Sequence, residues 1–215
     1  MKQIAEICIR RDIFFICDEV YRDFVYDLPP GTRAASLLDQ ETADEHAIII
    51  DSVSKRYSAC GARIGWLVTR NAEVREAALR FGQMRLSPAT VDQYAAHAAL
   101  SVPESWFQDV NARYRSRRDT LVSGLRDIGL TVPTPEGAFY LALPLPVEDA
   151  ESFCAWLVSE FSHQGQTVCL APLAGFYRTK GLGQSEVRMT YCIEEDSLRT
   201  CVEILDAGLK AWASR

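Results

Sequence analysis

Short apolar runs that stop abruptly at polar residues dominate the first third of the chain. Ile13-Phe14-Phe15-Ile16-Cys17 ends at Asp18-Glu19, Ala47-Ile48-Ile49-Ile50 ends at Asp51-Ser52, and Ile64-Gly65-Trp66-Leu67-Val68 ends at Thr69-Arg70. Continuous, β-rich runs of this kind predict strands buried on both faces, as in an α/β sheet. Residues 1–11 predict the end of a helix leading into the first of these strands.

The pattern then lengthens to a helical period. Asn71 is a candidate cap for a helix through about Met84, and Ser87-Pro88 a candidate start for another through about Leu100. Pro103-Glu104 opens a long helix predicted to reach Ile128, with Gly129 as its stop. Arg113, Arg115, Arg117 and Arg118 on that helix are interleaved with acids, and the plainer reading is a solvated face, not a nucleic-acid patch. Strands are predicted at Ala138–Leu143, Thr167–Leu170 and Val187–Tyr191, with a helix over 149–164 between the first two. A final helix from about Asp196 places Leu198, Val202, Leu205, Leu209 and Trp212 along one face. The last third therefore predicts a small α+β unit. Its boundary with the α/β part is expected inside the long helix, giving residues 1–108 and 109–215, with no flexible linker.

Composition narrows the class. Of the 215 residues, 48% are apolar and 24% charged, enough for a buried core in a globular protein. A net charge of −6 argues against a general nucleic-acid or anionic-membrane binder. No apolar run approaches the roughly 20 residues that span a bilayer, and the N-terminus lacks the apolar core of a secretory signal. The seven cysteines, Cys8, Cys17, Cys60, Cys154, Cys169, Cys192 and Cys201, are scattered and form no CxxC pair, and the three histidines are isolated, so no zinc site is expected. Buried free thiols in a reducing, cytoplasmic compartment are the expectation.

The candidate chemistry sits where the apolar runs end, which is where open α/β sheets bind ligands. Asp18-Glu19-Val20-Tyr21 follows the first run, and Asp18 and Tyr21 are spaced to enter one pocket. The plainer reading is a turn acid beside a core tyrosine. Asp51-Ser52-Val53-Ser54-Lys55 follows the second run and leads to Cys60-Gly61-Ala62-Arg63-Ile64-Gly65. A lysine amid small hydroxyl residues just past a strand suits a Schiff-base amine. Ser52 and Arg63 suit one phosphate, because the guanidinium fork makes paired charge-assisted bonds. The plainer reading here is a polar loop between strands. The third cluster is Glu186-Val187-Arg188-Met189-Thr190-Tyr191, where an arginine alternating within an apolar strand requires an acid partner, either structural or a substrate carboxylate.

Together these clusters resemble the class I/II aminotransferases, the fold-type I pyridoxal-phosphate enzymes of the aspartate aminotransferase superfamily. The order Asp-Glu-x-Tyr, Ser-x-Ser-Lys, Arg63 after the lysine and a late Val-Arg-x-x-Tyr strand carries the resemblance. Pro135-Glu136-Gly137-Ala138-Phe139-Tyr140 and Leu170-Ala171-Pro172-Leu173-Ala174-Gly175-Phe176-Tyr177 are similar to that family's small-domain segments. The resemblance implies the C-terminal part of a large domain with a mainly parallel sheet, followed by a small α+β domain. It implies pyridoxal 5′-phosphate as cofactor and amino-acid and 2-oxo-acid substrates. Lys55 would condense with the cofactor aldehyde and then shuttle a proton. Asp18 would pair with the pyridine nitrogen, and Tyr21 would hydrogen-bond the 3′-oxygen. Ser52, Ser54 and Arg63 would hold the phosphate, and Arg188 the substrate α-carboxylate. A homodimer is implied for the full-length enzyme.

Family members carry a long further segment ahead of Asp-Glu-x-Tyr, so this chain is expected to be a C-terminal fragment, inactive alone, or to pair with a separate N-terminal piece. Half a sheet would leave strand edges and apolar faces exposed. Two alternatives share the motifs: a C–S lyase or ring-forming synthase, and a ligand-sensing domain fused behind a winged-helix DNA-binding module.

Overall fold

A computed structural model of the chain describes residues 1–29, 32–40 and 45–215. The described residues divide into two compact units, Met1–Asp109 and Val110–Arg215.

In the first unit, helix α1 (Lys2–Arg11) leads into strand β1 (Phe15–Asp18), with Asp12 in the left-handed region at the turn between them. Strand β2 (Ala47–Ser52) runs directly into α2 (Val53–Arg56), and a 3₁₀ turn at Cys60–Ala62 precedes β3 (Gly65–Val68). The strands order β1-β2-β3. β1 pairs with β2 in parallel, with Asp18 opposite Ile50, and β2 pairs with β3 antiparallel, with Ser52 opposite Gly65. A mainly parallel sheet is expected from the sequence; the described residues hold one junction of each kind. The reason is the connection: residues 19–46 are long enough for a crossover, whereas the short α2 and 3₁₀ turn fold β3 back beside β2.

One face of this sheet is covered. Ala5 of α1, Leu37, Ala47 and Ile49 form its core, with Phe15, Cys17, Leu38 and Val68 packed against them. The other face leaves Ile16 63% exposed, Ile50 36% and Leu67 40%. Ile48 on that face is buried, so burial on both faces is met only in part: the described residues cover the middle of the second face and leave Ile16, Ile50 and Leu67 open. Helices α3 (Ala72–Met84) and α4 (Thr90–Ala99) bury no residue. Asn71 caps α3 by accepting from the Val74 amide at 3.0 Å. α4 starts later than Ser87, because Leu86 is left-handed and Gln93 Nε2 donates to the Pro88 carbonyl, holding 87–89 outside the helix.

Helix α5 (Glu104–Asp127) crosses the division and ends at Gly129, whose φ of 86° suits glycine. In the second unit, β4 (Tyr140–Pro144), β5 (Ala171–Pro172) and β6 (Glu186–Thr190) form an antiparallel sheet ordered β4-β6-β5, with α6 (Ala150–Ser159) and α7 (Glu195–Trp212). The strand expected at 167–170 lies instead at 171–172. The tight His163–Gln166 pairing and a 2.6 Å bond from Thr167 Oγ1 to the Leu157 carbonyl tie the preceding segment to α6 and delay its entry into the sheet. A Cβ on Gly124 would meet Val202 at 3.1 Å, so α5 and α7 approach closely there.

Leu121, Leu125, Phe153, Leu157, Leu198 and Leu205 are all within 1% of full burial. Leu205→Ala is expected to cost about 2–5 kcal/mol, the range for deleting a buried leucine side chain, read as a lower denaturant midpoint at unchanged m. The arginine face of α5 is not the solvated one expected: Arg118 is 3% exposed and donates to Asp119 Oδ1 and, at 3.0 Å, to the Pro135 carbonyl. Arg117 pairs with Glu194 and bonds the Cys192 carbonyl. Arg113 alone of the four is exposed, as the solvated reading expects.

Cys8 and Cys154 are buried free thiols as expected, and burial pushes the Cys154 thiol up to about 11. Cys60, Cys169 and Cys192 are exposed instead: Cys60 opens the 3₁₀ turn before β3, Cys169 lies in the loop before β5 and Cys192 just past β6.

Candidate active site

Parallel pairing puts the carboxyl ends of β1 and β2 at one edge of the sheet, and the antiparallel return brings the start of β3 to the same edge. Asp18, Tyr21, Ser52, Ser54, Lys55 and Arg63 therefore all belong to segments that meet there. A pocket of about 450 Å³ opens at this edge, lined by Val20, Ile50, Asp51, Ser52, Ser54, Arg63, Ile64, Gly65, Trp66 and Leu67.

Local chemistry shapes its walls. Ser52 caps α2, its hydroxyl oxygen accepting from the Ser54 amide at 3.1 Å, which leaves the hydroxyl proton free to donate. The Val53 amide donates to the Ile64 carbonyl at 3.2 Å, tying the start of α2 to the lead-in of β3. Arg63 adopts φ 54° at the end of the 3₁₀ turn and spends one N–H on the Cys60 carbonyl at 2.8 Å, keeping its remaining donors for a ligand. Gly65 is required by close approach: a Cβ there would sit 2.9 Å from the Asp51 carbonyl and 3.2 Å from the Ser52 Cβ.

The structure gathers Ser52, Ser54 and Arg63 in this one pocket. Lys55 is half-buried on α2, next to the lining residue Ser54. Asp18 ends β1 opposite the lining residue Ile50 and accepts from the Val20 amide at 3.2 Å. Tyr21 is half-buried with its ring edge-on to Phe24. Neither Asp18 nor Tyr21 lines the pocket itself. Arg188 belongs to the second unit. It is half-buried on the central strand β6, between Ala142 of β4 and Ala171 of β5, and its guanidinium lies over the rings of Tyr140 at 4.6 Å and Phe176 at 5.2 Å.

A buried polar network escapes sequence reasoning. Asp23 and Asp51 are each 6% exposed. Arg56 bridges them, with Nη2 to Asp51 Oδ2 at 2.5 Å and Nε to Asp23 Oδ2 at 3.0 Å, and Arg33 Nε lies 3.1 Å from Asp23 Oδ1. Burial pushes the Asp51 carboxyl above the usual carboxylate range, while Arg56 pulls it back. Glu19, also buried, accepts from Ser36 Oγ at 3.0 Å and the Leu37 amide at 2.7 Å, pinning the loop after β1. The available signal was Asp23 itself: an acid amid Tyr21, Phe24, Val25 and Tyr26 demands a buried cation.

An α/β sheet with hydroxyls, a guanidinium and a lysine at its strand ends, followed by an antiparallel α+β unit, describes the fold-type I class. The chain belongs to the class I and II aminotransferase family, whose profile matches residues 1–205. It is 30% identical over 205 residues to the LL-diaminopimelate aminotransferase of Moorella thermoacetica, covering 95% of this chain and 50% of that protein. It is 29% identical over 208 residues to the aspartate aminotransferase of Bacillus subtilis, covering 94% and 51%. The N-succinyldiaminopimelate aminotransferase of Mycobacterium tuberculosis superposes with a TM-score of 0.83 at 26% identity, over 96% of this chain and 53% of that one. The chain spans about half the length of the curated relatives it matches. No described helix is long and apolar enough to cross a membrane.

Proposed function

We propose that this chain supplies the lysine-bearing part of a pyridoxal-phosphate-dependent aminotransferase, which moves an amino group between an L-amino acid and a 2-oxo acid. Residues 1–108 would be the C-terminal part of the cofactor-binding domain and 109–215 the small domain. The observation that carries this reading is the convergence of Ser52, Ser54 and Arg63 on one pocket, with Lys55 on the adjoining short helix. The fit to the cofactor is chemical: hydroxyl and guanidinium donors suit a phosphate, and Gly65 lets β3 lie close enough to Ser52 to keep them together.

When bound, pyridoxal phosphate supplies an aldehyde for an amine and a ring that draws electrons from the substrate Cα. Ser52, Ser54 and Arg63 would hold its phosphate and so fix where the aldehyde lies. Asp18 would keep a proton on the pyridine nitrogen by placing a carboxylate beside it. Tyr21 would donate to the 3′-oxygen. Lys55 Nζ would take the proton from the substrate Cα and return it to the carbon that keeps the amine. Arg188 would hold the substrate α-carboxylate through its fork. The relatives' names span aspartate, LL-diaminopimelate and glutamate–pyruvate, so the shared amino and carboxylate groups, not one side chain, define the substrate class.

The test is a competition among the four lysines, Lys2, Lys55, Lys180 and Lys210. The chain is mixed with pyridoxal phosphate, reduced with borohydride, digested and weighed. Lys55, half-buried, is expected to take the label ahead of the three exposed lysines. Label spread by exposure alone would refute a built site.

A further inference from the structure

The residue carrying the reactive amine sits on an element that cannot orient itself. α2 has four residues, closed at its end by a bond from the Tyr57 amide to the Val53 carbonyl at 3.1 Å. Helices far shorter than about 12–15 residues are not stable alone in water. The direction of α2 therefore depends on what holds its residues and those beside them, and the two residues that follow Lys55 are both held.

On one side, Arg56 is 14% exposed and bridges Asp23 and Asp51. On the other, the Tyr57 ring stacks on Trp106 at 6.1 Å and meets Phe107 at 5.8 Å. The circuit closes through Arg33, which pairs with Asp23 and places its guanidinium 5.3 Å over the Phe107 ring. The two carboxylates come from different segments. Asp23 follows Asp18 and Tyr21 in the loop after β1, and Asp51 precedes Ser52 at the end of β2. The Arg56 guanidinium, hydrogen-bonded to Asp51 and ion-paired with Asp23, thus joins three segments: the one proposed to touch the cofactor ring, the one proposed to hold its phosphate, and the one carrying the amine.

We propose that Arg56, clamped between Asp23 and Asp51, is a positioning residue that fixes the orientation of α2 and with it the reach of Lys55. The inference rests on the reading of Lys55 given above. A lysine at position 56 keeps the charge but, as a point donor on a flexible stem, cannot engage both carboxylates in one geometry. A methionine removes the charge and leaves two buried acids without their bridge.

The experiment uses the full chain and the variants Arg56→Lys, Arg56→Met and Asp23→Asn. Two quantities are read: the initial rate of borohydride-fixed pyridoxal phosphate on Lys55, by peptide mass, and amide hydrogen exchange over 53–57 without cofactor. Labelling of Lys55 is expected to slow about 10- to 100-fold in Arg56→Lys and Arg56→Met, the range for a reacting group moved out of line. Exchange over 53–57 is expected to quicken while β2 exchange holds and Lys2, Lys180 and Lys210 label as before. Asp23→Asn, which keeps a neutral acceptor, is expected to fall between. Wild-type labelling in the Arg56 variants, whatever exchange shows, overturns the proposal and leaves the site reading intact. Loss of cooperative melting in both Arg56 variants also overturns it, since the network would then be a requirement of folding. Failure of the unaltered chain to label Lys55 removes the site reading and this inference together.

Discussion

In the aminotransferase that this chain is proposed to form part of, Lys55→Ala is expected to abolish borohydride-fixed labelling and to lower transamination by at least about 10³-fold, within the range attributed to one positioned acid–base group. Two losses compound. The amine that would condense with the aldehyde is gone, and so is the base that would move the proton from the substrate Cα. Stability should change little, because Lys55 is half-buried on a four-residue helix and makes no part of the sheet core formed by Ala5, Leu37, Ala47 and Ile49. The measurement is single-turnover conversion of a panel of L-amino acids, followed by the 2-oxo acid formed, with melting as control. Undiminished conversion in a folded Lys55→Ala protein sinks the mechanism. The same panel separates amino transfer from elimination, since a C–S lyase releases ammonia and sulfide where a transferase releases neither.

The places of the candidate residues along the fold were legible because they lie where local signals are strongest. Each apolar run of the first unit became a strand, with Asp18 at the end of β1, Ser52 at the end of β2 and Arg63 just before β3. Asn71 and Gly129 marked helix ends because caps and left-handed turns are chemically local. What escaped depends on partners distant in sequence. The four arginines of α5 read as solvated because charge spacing cannot show that Arg118 meets the Pro135 carbonyl. Nothing local in the sequence singles out Arg56, because its partner Asp23 lies far up the chain. Periodicity predicted two buried faces for the sheet, and Ile16, Ile50 and Leu67 show that a run records only what a strand needs, not whether these residues provide it. Exposed apolar area of this kind is unusual on a soluble monomer.

In the same complete aminotransferase, Arg188→Lys is expected to lower kcat/KM about 10- to 100-fold for amino-acid and 2-oxo-acid substrates alike, with most of the change in KM. Arginine offers a carboxylate two parallel donors, and lysine offers a single point. Losing one charge-assisted bond of about 1.5–3 kcal/mol corresponds to roughly that factor. The change should fall on KM because the α-carboxylate is not altered by the reaction, so its pairing is equal in ground and transition states. Structure adds a reason why lysine is a poor substitute. The guanidinium plane lies over Tyr140 at 4.6 Å and Phe176 at 5.2 Å, with only Ala142 and Ala171 beside it across the strands. Rings on its faces hold a planar cation with its edge available to a ligand, whereas an ammonium has no edge to present. Because every aminotransferase substrate bears this carboxylate, the loss should not discriminate among side chains. Steady-state kinetics with aspartate, glutamate and an aromatic amino acid decide it: an unchanged KM, or a penalty confined to one side chain, would move Arg188 from carboxylate recognition to a structural or specificity role.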